Sequence, residues 1–294
     1  MKPAPFEFRA PVSLDGVLEE MREHGEAARI LAGGQSLVPL MNLRMLQPSV
    51  LVSINHCKEL SYIRAEEDGL VCGALARQWD VEHDQVAIQR CPLLVQALHH
   101  VGARSNRNRG TVCGSLAHAD PLAELPAVAL ALDADMIAAS STGRRVVPAR
   151  EFFVGALENS LRPDEILEAV RFPYAPTGSR SCFIELGNRN HGFAIAGVAL
   201  EVTFGEDGRC RRARLAVMGG ENIAKRASDT EVALAGSIID EAAAREAGRL
   251  TASLVDVAGD FHADAAYRRE LVAVLVERAL IQVASGAAGR ARSI

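Results

Sequence analysis

Arg107-Asn108-Arg109-Gly110-Thr111-Val112-Cys113-Gly114-Ser115-Leu116-Ala117-His118-Ala119-Asp120-Pro121, taken with the earlier loop Leu31-Ala32-Gly33-Gly34-Gln35-Ser36-Leu37-Val38, carries the strongest signal in this 294-residue chain. Both stretches are rich in small residues, and glycine lets a backbone approach a ligand where a Cβ would collide. Exposed backbone N–H groups with a helix start behind them meet an anion without a large set of charged side chains. Gly33 and Gly34 give that approach in the first loop, where Gln35 and Ser36 add neutral donors. In the second, Thr111 and Ser115 offer hydroxyls and Gly114 bare backbone. Two such loops suit the two phosphates of a dinucleotide, which points to a flavin or nicotinamide carrier. A plain turn is the competing reading of Gly33-Gly34 alone. Neither loop fits G-x-G-x-x-G or G-x-x-x-x-G-K-[ST], which argues against a Rossmann or P-loop assignment.

Working outward, Arg29 to Ala32 reads as a strand that delivers the chain into the first loop, and Ser36 to Met41 begins a helical turn in which Pro39 is tolerated early. Before it, Ser13 precedes a Leu14, Val17, Leu18, Met21 stripe, the signature of a capped amphipathic helix ending near His24-Gly25. Val50 to Ile54, Tyr62 to Arg64 and Leu70 to Ala74 read as strands, with Glu66 to Gly69 as a hairpin turn. Helices are expected at Pro92 to Leu98 and Ala123 to Ala131, strands at Ala134 to Ala139 and Ile166 to Phe172, and a basic turn at Gly143-Arg144-Arg145. Turn residues cluster at Ala175-Pro176-Thr177-Gly178, where the domain boundary is placed. Beyond it, strand-like runs at Ser181 to Leu186, Phe193 to Phe204 and Arg211 to Met218 precede helices at Ile239 to Leu250 and Tyr267 to Val283; Gly205 to Gly208 is the second hairpin signal. Strands followed by helices make the fold class α+β.

Composition limits the function classes. With 49% hydrophobic and 23% charged residues the chain buries a full core. Its net charge of -5, without a Lys/Arg run, argues against nucleic acid as a partner. No apolar run reaches the length of a membrane span, and the start, Met1-Lys2-Pro3-Ala4-Pro5-Phe6, lacks an apolar signal core, so the cytoplasm is expected. Cys57, Cys72, Cys91, Cys113, Cys182 and Cys210 form no C-x-x-C and read as buried free thiols; metal centres belong on other chains. His99-His100, and His118 with Asp120, read as structural, and no Ser/His/Asp nucleophile set is present, so covalent catalysis is not expected. Arg104, Arg107 and Arg109 stay open between phosphate or subunit contacts and a solvated role or bracing of carbonyl-rich turns.

The motifs Ala32 to Leu40, Asn108 to Pro121 and Glu124-Leu125-Pro126 closely resemble the medium, FAD-binding subunit of molybdenum hydroxylases, the group that includes carbon monoxide, nicotinate-type and xanthine dehydrogenases. The likeness runs through Asp164 to Leu167, Glu185 to Gly197 and the helix at Tyr267-Arg268-Arg269. It implies a PCMH-type FAD-binding region of two α/β subdomains at 1–176, and a domain at 177–294 made of a three-stranded antiparallel sheet with helices. FAD would lie with its diphosphate on Leu31, Ala32, Gly33, Gly34, Gln35, Ser36, Leu37 and Val38 and on Thr111, Cys113, Gly114 and Ser115. Glu124 matches the acid that bonds the adenosine ribose, and a carboxylate suits paired sugar hydroxyls; a solvated acid at a helix start is the alternative. Gly102, Leu167 and Glu185 match positions near the flavin or adenine.

The resemblance further implies a large molybdenum-binding subunit and a small subunit with two [2Fe-2S] clusters, assembled as a dimer of heterotrimers that passes electrons through FAD to an external acceptor. No catalytic acid or base is assigned to this chain. Where the family has Gly-Gly, this chain has Cys113-Gly114. If residue 113 required positive φ, the change would cost on the order of 1 kcal/mol or more and weaken FAD; alternatively only Gly114 carries the special conformation. Asn190-His191-Gly192-Phe193-Ala194 stands where many relatives have an Asp before Phe-Ala. Two other readings remain: a stand-alone flavin oxidase or reductase, and an assembly subunit that has lost FAD.

Overall fold

The computed structural model describes residues 1–188, 192–220, 222–256 and 258–286. The chain opens with β1 (Glu7–Arg9), α1 (Leu14–His24), β2 (Ala28–Leu31), α2 (Leu37–Asn42) and β3 (Val50–Ser53). The Ser13 hydroxyl accepts from the Gly16 N–H at 3.3 Å to start α1, and Leu14, Val17, Leu18 and Met21 are its buried face. β1, β3 and β2 form a parallel sheet in that order, in register Phe8↔Leu51 and Ile30↔Val52. All four residues of β3 are buried, as befits a central parallel strand.

β4 (Ile63–Ala65) and β5 (Gly69–Gly73) then form the expected hairpin, with Ala65 opposite Leu70. Six short helices follow: α3 (Gln78–Glu82), α4 (Gln85–Arg90), α5 (Pro92–Leu98), α6 (Arg104–Arg107), α7 (Val112–His118) and α8 (Glu124–Ala131). β6 (Asp135–Ser140), β7 (Gly143–Pro148), α9 (Ala149–Phe152), the small hairpin β8 (Phe153–Gly155) and β9 (Glu158–Asn159), and β10 (Ile166–Pro173) come next. The second sheet has the antiparallel order β4-β5-β10-β6-β7.

Gly143-Arg144-Arg145, expected as a basic turn, is instead the start of β7. The arginines tolerate the sheet because they reach over β6 to carboxylates at β10. Arg144 meets Glu168 at 2.5 and 2.9 Å, and Arg145 grips Glu165 bidentately at 2.7 Å. Glu165 also accepts from the Arg162 N–H at 2.7 Å. The Arg145 guanidinium therefore holds the buried Glu165 carboxyl below the usual carboxylate range, against the opposing effect of burial. A depressed carboxyl contributes stability above its unfolded pKa and loses it as pH falls through the folded value. Glu165→Gln is expected to lower stability by about 2 kcal/mol at pH 7, with the gap closing below about pH 4. Urea titrations at a series of pH values check this, and a pH-independent gap would remove the ion pair as its source.

The last region contains β11 (Ser179–Gly187), β12 (Ala194–Phe204), β13 (Cys210–Met218), β14 (Lys225–Arg226), α10 (Ser228–Leu234), α11 (Glu241–Leu254) and α12 (Ala265–Ser285). Its antiparallel sheet has four strands, β11-β12-β13-β14, rather than the expected three. β14 left no pattern to find, because it is two basic residues paired with Ala216 and Val217. The turn at Gly205 to Gly208 closes β12 on β13, with Gly208 at φ 75°.

The chain packs as two compact units. One comprises Met1–Ala87, Ala103–Ala119 and Asp133–Pro173; the other comprises Ile88–Gly102, Asp120–Leu132 and the described residues from Tyr174 onward. Residues 88–102 and 120–132, grouped with 1–176 in the sequence reading, thus pack with the later sheet. The cause is apolar surface: Leu125 to Ala131 of α8 are all buried, so this helix is covered on every side. α5 and α8 lie against β11, β12 and β13, while Val198, Leu200 and Val202 meet the core that includes α11 and α12. β12 is covered on both faces, which explains its near-continuous burial.

Candidate functional site

The first loop leaves the carboxyl end of β2, and Asn55 stands just past the end of β3, the end of a parallel sheet where ligands bind. A Cβ on Gly33 would press on the Arg109 carbonyl oxygen and come within 2.8 Å of the Gly110 Cα, so the two glycine loops touch backbone to backbone. Gly34 has φ 73°, in the left-handed region that favours glycine. Gln35 is committed within the loops, its Nε2 donating to the Gly33 carbonyl at 3.2 Å and its Oε1 accepting from Asn106 Nδ2 at 3.3 Å. Ser36 caps α2 by backbone geometry without a side-chain hydrogen bond.

The second loop is anchored to the start of α3. Thr111 pairs with Arg77 in an antiparallel bridge, the Gln78 N–H donates to Gly110 O at 2.9 Å and the Val112 N–H to Ala76 O at 3.1 Å. Thr111 caps α7, its Oγ1 accepting from the Gly114 N–H at 3.0 Å; a Cβ on Gly114 would sit 2.6 Å from that hydroxyl. Glycine at 114 is explained by this close approach and not by positive φ.

Cys113 is an ordinary helical residue, and the strain considered for it does not arise. Its side chain is buried, with Sγ 3.4 Å from the Cys72 carbonyl, and burial pushes the thiol well above its ordinary pKa. Cys113→Gly is expected to lower apoprotein stability by about 1–2 kcal/mol, since it removes a buried side chain and puts glycine inside a helix. Thermal unfolding beside an FAD titration checks this; affinity that improved on substitution would show the thiol to face the cofactor.

Asn55 and Arg77 escaped the sequence reading. Asn55 Nδ2 lies 3.2 Å from Leu31 O, 2.9 Å from Ala32 O and 3.2 Å from Ser53 Oγ, and its Oδ1 accepts from Arg77 Nη2 at 3.0 Å. Arg77 Nη1 donates to the Arg109 carbonyl. A polar residue directly after a buried strand was the available signal for Asn55; Arg77 had none. The first loop from Leu31 to Gln35, with Val38, Pro39, Asn55 and Arg109, lines a cleft of about 350 Å³. Burial first, and the Arg109 charge second, push the Arg77 guanidinium down from its ordinary value, with Asp80 opposing. Among the described residues neither arginine has a carboxylate partner in an ion pair.

Arg107 makes a buried pair with Glu82 at 2.7 and 3.3 Å, fixing α6 to α3, and Arg104 stacks 4.1 Å over the Trp79 ring. Ser115 is part-buried in α7, and Leu167 is a core residue beside the bulge in β10. Gly102, Glu124 and Glu185 belong to the other unit. There Glu124 opens α8, and Glu185 meets His100 Nδ1 at 3.3 Å beside the Phe183 ring. Asn190 and His191 lie outside the described residues.

Glycine loops in backbone contact, neutral amides and the Arg109 guanidinium suit an extended anion such as a diphosphate. The cradle at Gly33 fits FAD, because a Cβ there would displace one loop from the other. Fold and cleft are those of a dinucleotide-binding protein, and comparison with known proteins specifies which. The family described as FAD binding domain in molybdopterin dehydrogenase matches residues 4–175, and that described as CO dehydrogenase flavoprotein C-terminal domain matches 181–283. This chain belongs to the FAD-binding medium subunits of the molybdenum hydroxylase family.

Among its relatives, the alpha subunit of the 6-hydroxypseudooxynicotine dehydrogenase complex of Paenarthrobacter nicotinovorans is 39% identical over 280 residues, 95% of either chain. A chain of carbon monoxide dehydrogenase from Hydrogenophaga pseudoflava superposes with a TM-score of 0.94 at 32% identity, covering 98% of this chain and 100% of that one. A chain of quinoline 2-oxidoreductase from Pseudomonas putida 86 does so with a TM-score of 0.92 at 34% identity, covering 98% and 99%. The protein is an oxidoreductase subunit, and FAD is its cofactor. Among the described residues no helix is long and apolar enough to cross a membrane.

Proposed function

We propose that this chain takes electrons from the two [2Fe-2S] clusters of a small partner subunit, passes them through FAD to an external acceptor, and works beside a large molybdenum-binding subunit in a cytoplasmic dimer of heterotrimers. The observation that carries the reading is the backbone contact of Gly33 with Arg109-Gly110, which brings two distant glycine loops together at one cleft. The names of the relatives support it, since one is a subunit of a dehydrogenase complex and another the medium chain of carbon monoxide dehydrogenase from Hydrogenophaga pseudoflava. The two family matches, which meet between residues 175 and 181, support a PCMH-type FAD-binding region of two subdomains at 1–176 and a carboxy-terminal domain at 177–294.

When bound, FAD supplies a ring system that accepts and releases electrons. The protein's part is to hold and orient it. The backbone of Leu31 to Val38, with Thr111, Cys113, Gly114 and Ser115, takes the diphosphate; Glu124 accepts from ribose hydroxyls; Gly102, Leu167 and Glu185 border the flavin or adenine. No side chain of this chain is assigned a proton-transfer step.

An absorbance spectrum and a released-flavin assay on the purified chain test the reading. Stoichiometric FAD that bleaches only with partner subunits and substrate present is the expected result. Turnover by the isolated chain would instead mark a stand-alone oxidoreductase, and a colourless protein that still joins its partners would mark a flavin-free assembly subunit.

A further inference from the structure

We propose that Asn55 and Arg77 act as one positioning brace that fixes the gap between the two glycine loops and turns the first loop's amides toward the FAD diphosphate; this rests on the flavoprotein reading above. The contacts run in a continuous path. Loop carbonyls of Leu31 and Ala32 accept from Asn55 Nδ2, Asn55 Oδ1 accepts from Arg77 Nη2, and Arg77 Nη1 donates to Arg109 O in the second loop. In a trans peptide the N–H opposes the C=O. With the Ala32 carbonyl held by Asn55, and the Leu31 carbonyl by Asn55 together with the Ile54 N–H, the N–H groups of Ala32 and Gly33 face away from Asn55, and both residues line the cleft.

The path also places charge. Arg77 spends its guanidinium on two neutral oxygens, and burial first and the Arg109 charge second push it down from its ordinary value. Both acceptors are neutral, so the brace fixes the guanidinium beside the two loops without neutralising its charge, with Asp80 opposing in part, and an arriving diphosphate meets charge that is already oriented. Lysine would not reproduce this, since its ammonium is a point charge on a flexible stem and lacks the planar fork that spans Asn55 and Arg109.

The test uses the full chain, in complex with its partners if it is purified that way, and compares Arg77→Met, Arg77→Lys, Asn55→Leu and the Arg77→Met/Asn55→Leu double variant. FAD affinity is read by titration, fold integrity by apoprotein Tm, and the diphosphate environment by the 31P resonances of bound FAD. Each single variant is expected to weaken FAD at least 30-fold with Tm within about 3 °C of wild type, and to shift the 31P resonances. The double variant is expected to be no more than threefold worse than either single, as for groups that act as a unit. Wild-type binding with affinity within threefold in Arg77→Met or Asn55→Leu and unmoved 31P resonances would overturn the brace. Full rescue by Arg77→Lys would overturn it in favour of charge alone, and affinity that falls only in step with Tm would overturn it in favour of stability. A wild-type chain that takes up no FAD even with its partners would instead sink the flavoprotein reading, and the brace with it.

Discussion

Gly33→Ala is expected to raise the FAD dissociation constant at least 100-fold, or to leave the chain without flavin. The added Cβ would meet the Arg109 carbonyl oxygen, the Gly110 Cα at 2.8 Å and the Arg109 carbonyl carbon at 3.0 Å. All three are backbone atoms of a loop already tied down by Arg77 and the Gln78 N–H, so no side chain is available to swing aside. The loops must separate, and a factor of 100 corresponds to about 2.7 kcal/mol, within reach of forced overpacking. Gly34→Ala supplies the comparison. Its φ of 73° makes it the more strained position by conformation, yet its Cβ would meet only the flexible tips of Leu31 and Val38 at 3.2 Å. That substitution is expected to cost about 1 kcal/mol. Titration of both apoproteins with FAD gives the order directly, and a Gly33→Ala chain that binds as tightly as Gly34→Ala would refute the backbone-contact account.

The largest loss of stability is expected from Arg268→Met. Arg268 lies in α12 with its side chain 4% exposed, and its Nη1 donates to two carbonyls, Ile195 at 2.7 Å and Gly219 at 2.9 Å, while Nη2 meets Asp260 at 2.5 Å. One guanidinium thereby joins the beginning of β12 to the turn after β13, where Gly219 has φ 79° and no space for a Cβ beside Ile195 O. Removing it leaves two carbonyls without their donor, each worth about 1–3 kcal/mol, whereas Asp260, 42% exposed, falls back on water. The sum is about 2–6 kcal/mol. Urea unfolding of apoprotein measures it, and a loss below about 1 kcal/mol would mean that water replaces the guanidinium at both carbonyls.

Elements whose causes are local were legible in the sequence. α1 announced itself by Ser13 and its apolar stripe, α5 by Pro92 at its first position, and the two hairpins by Glu66 to Gly69 and Gly205 to Gly208. What escaped depends on distant partners. β7 carries arginines that belong in a strand only because Glu165 and Glu168 wait two strands away. β14 is too short for any periodicity. At the cleft, the glycines were visible because close approach selects one residue type, but Asn55 and Arg77 act through bonds spanning 22 to 32 residues, and asparagine and arginine are common surface residues. Cys113 ran the other way: a departure from the family pattern drew attention, and the helix simply turns the thiol inward.

All six cysteines are buried and unbridged, and burial pushes Cys182 up to about 12. Nucleophilic sulfur is exposed thiolate sulfur, and burial keeps all six out of reach of reagents. The native chain is therefore a silent background for thiol labelling: a single cysteine engineered on the surface would carry a spectroscopic or distance probe alone, so docking with partner subunits could be followed without first stripping the natural thiols from the core.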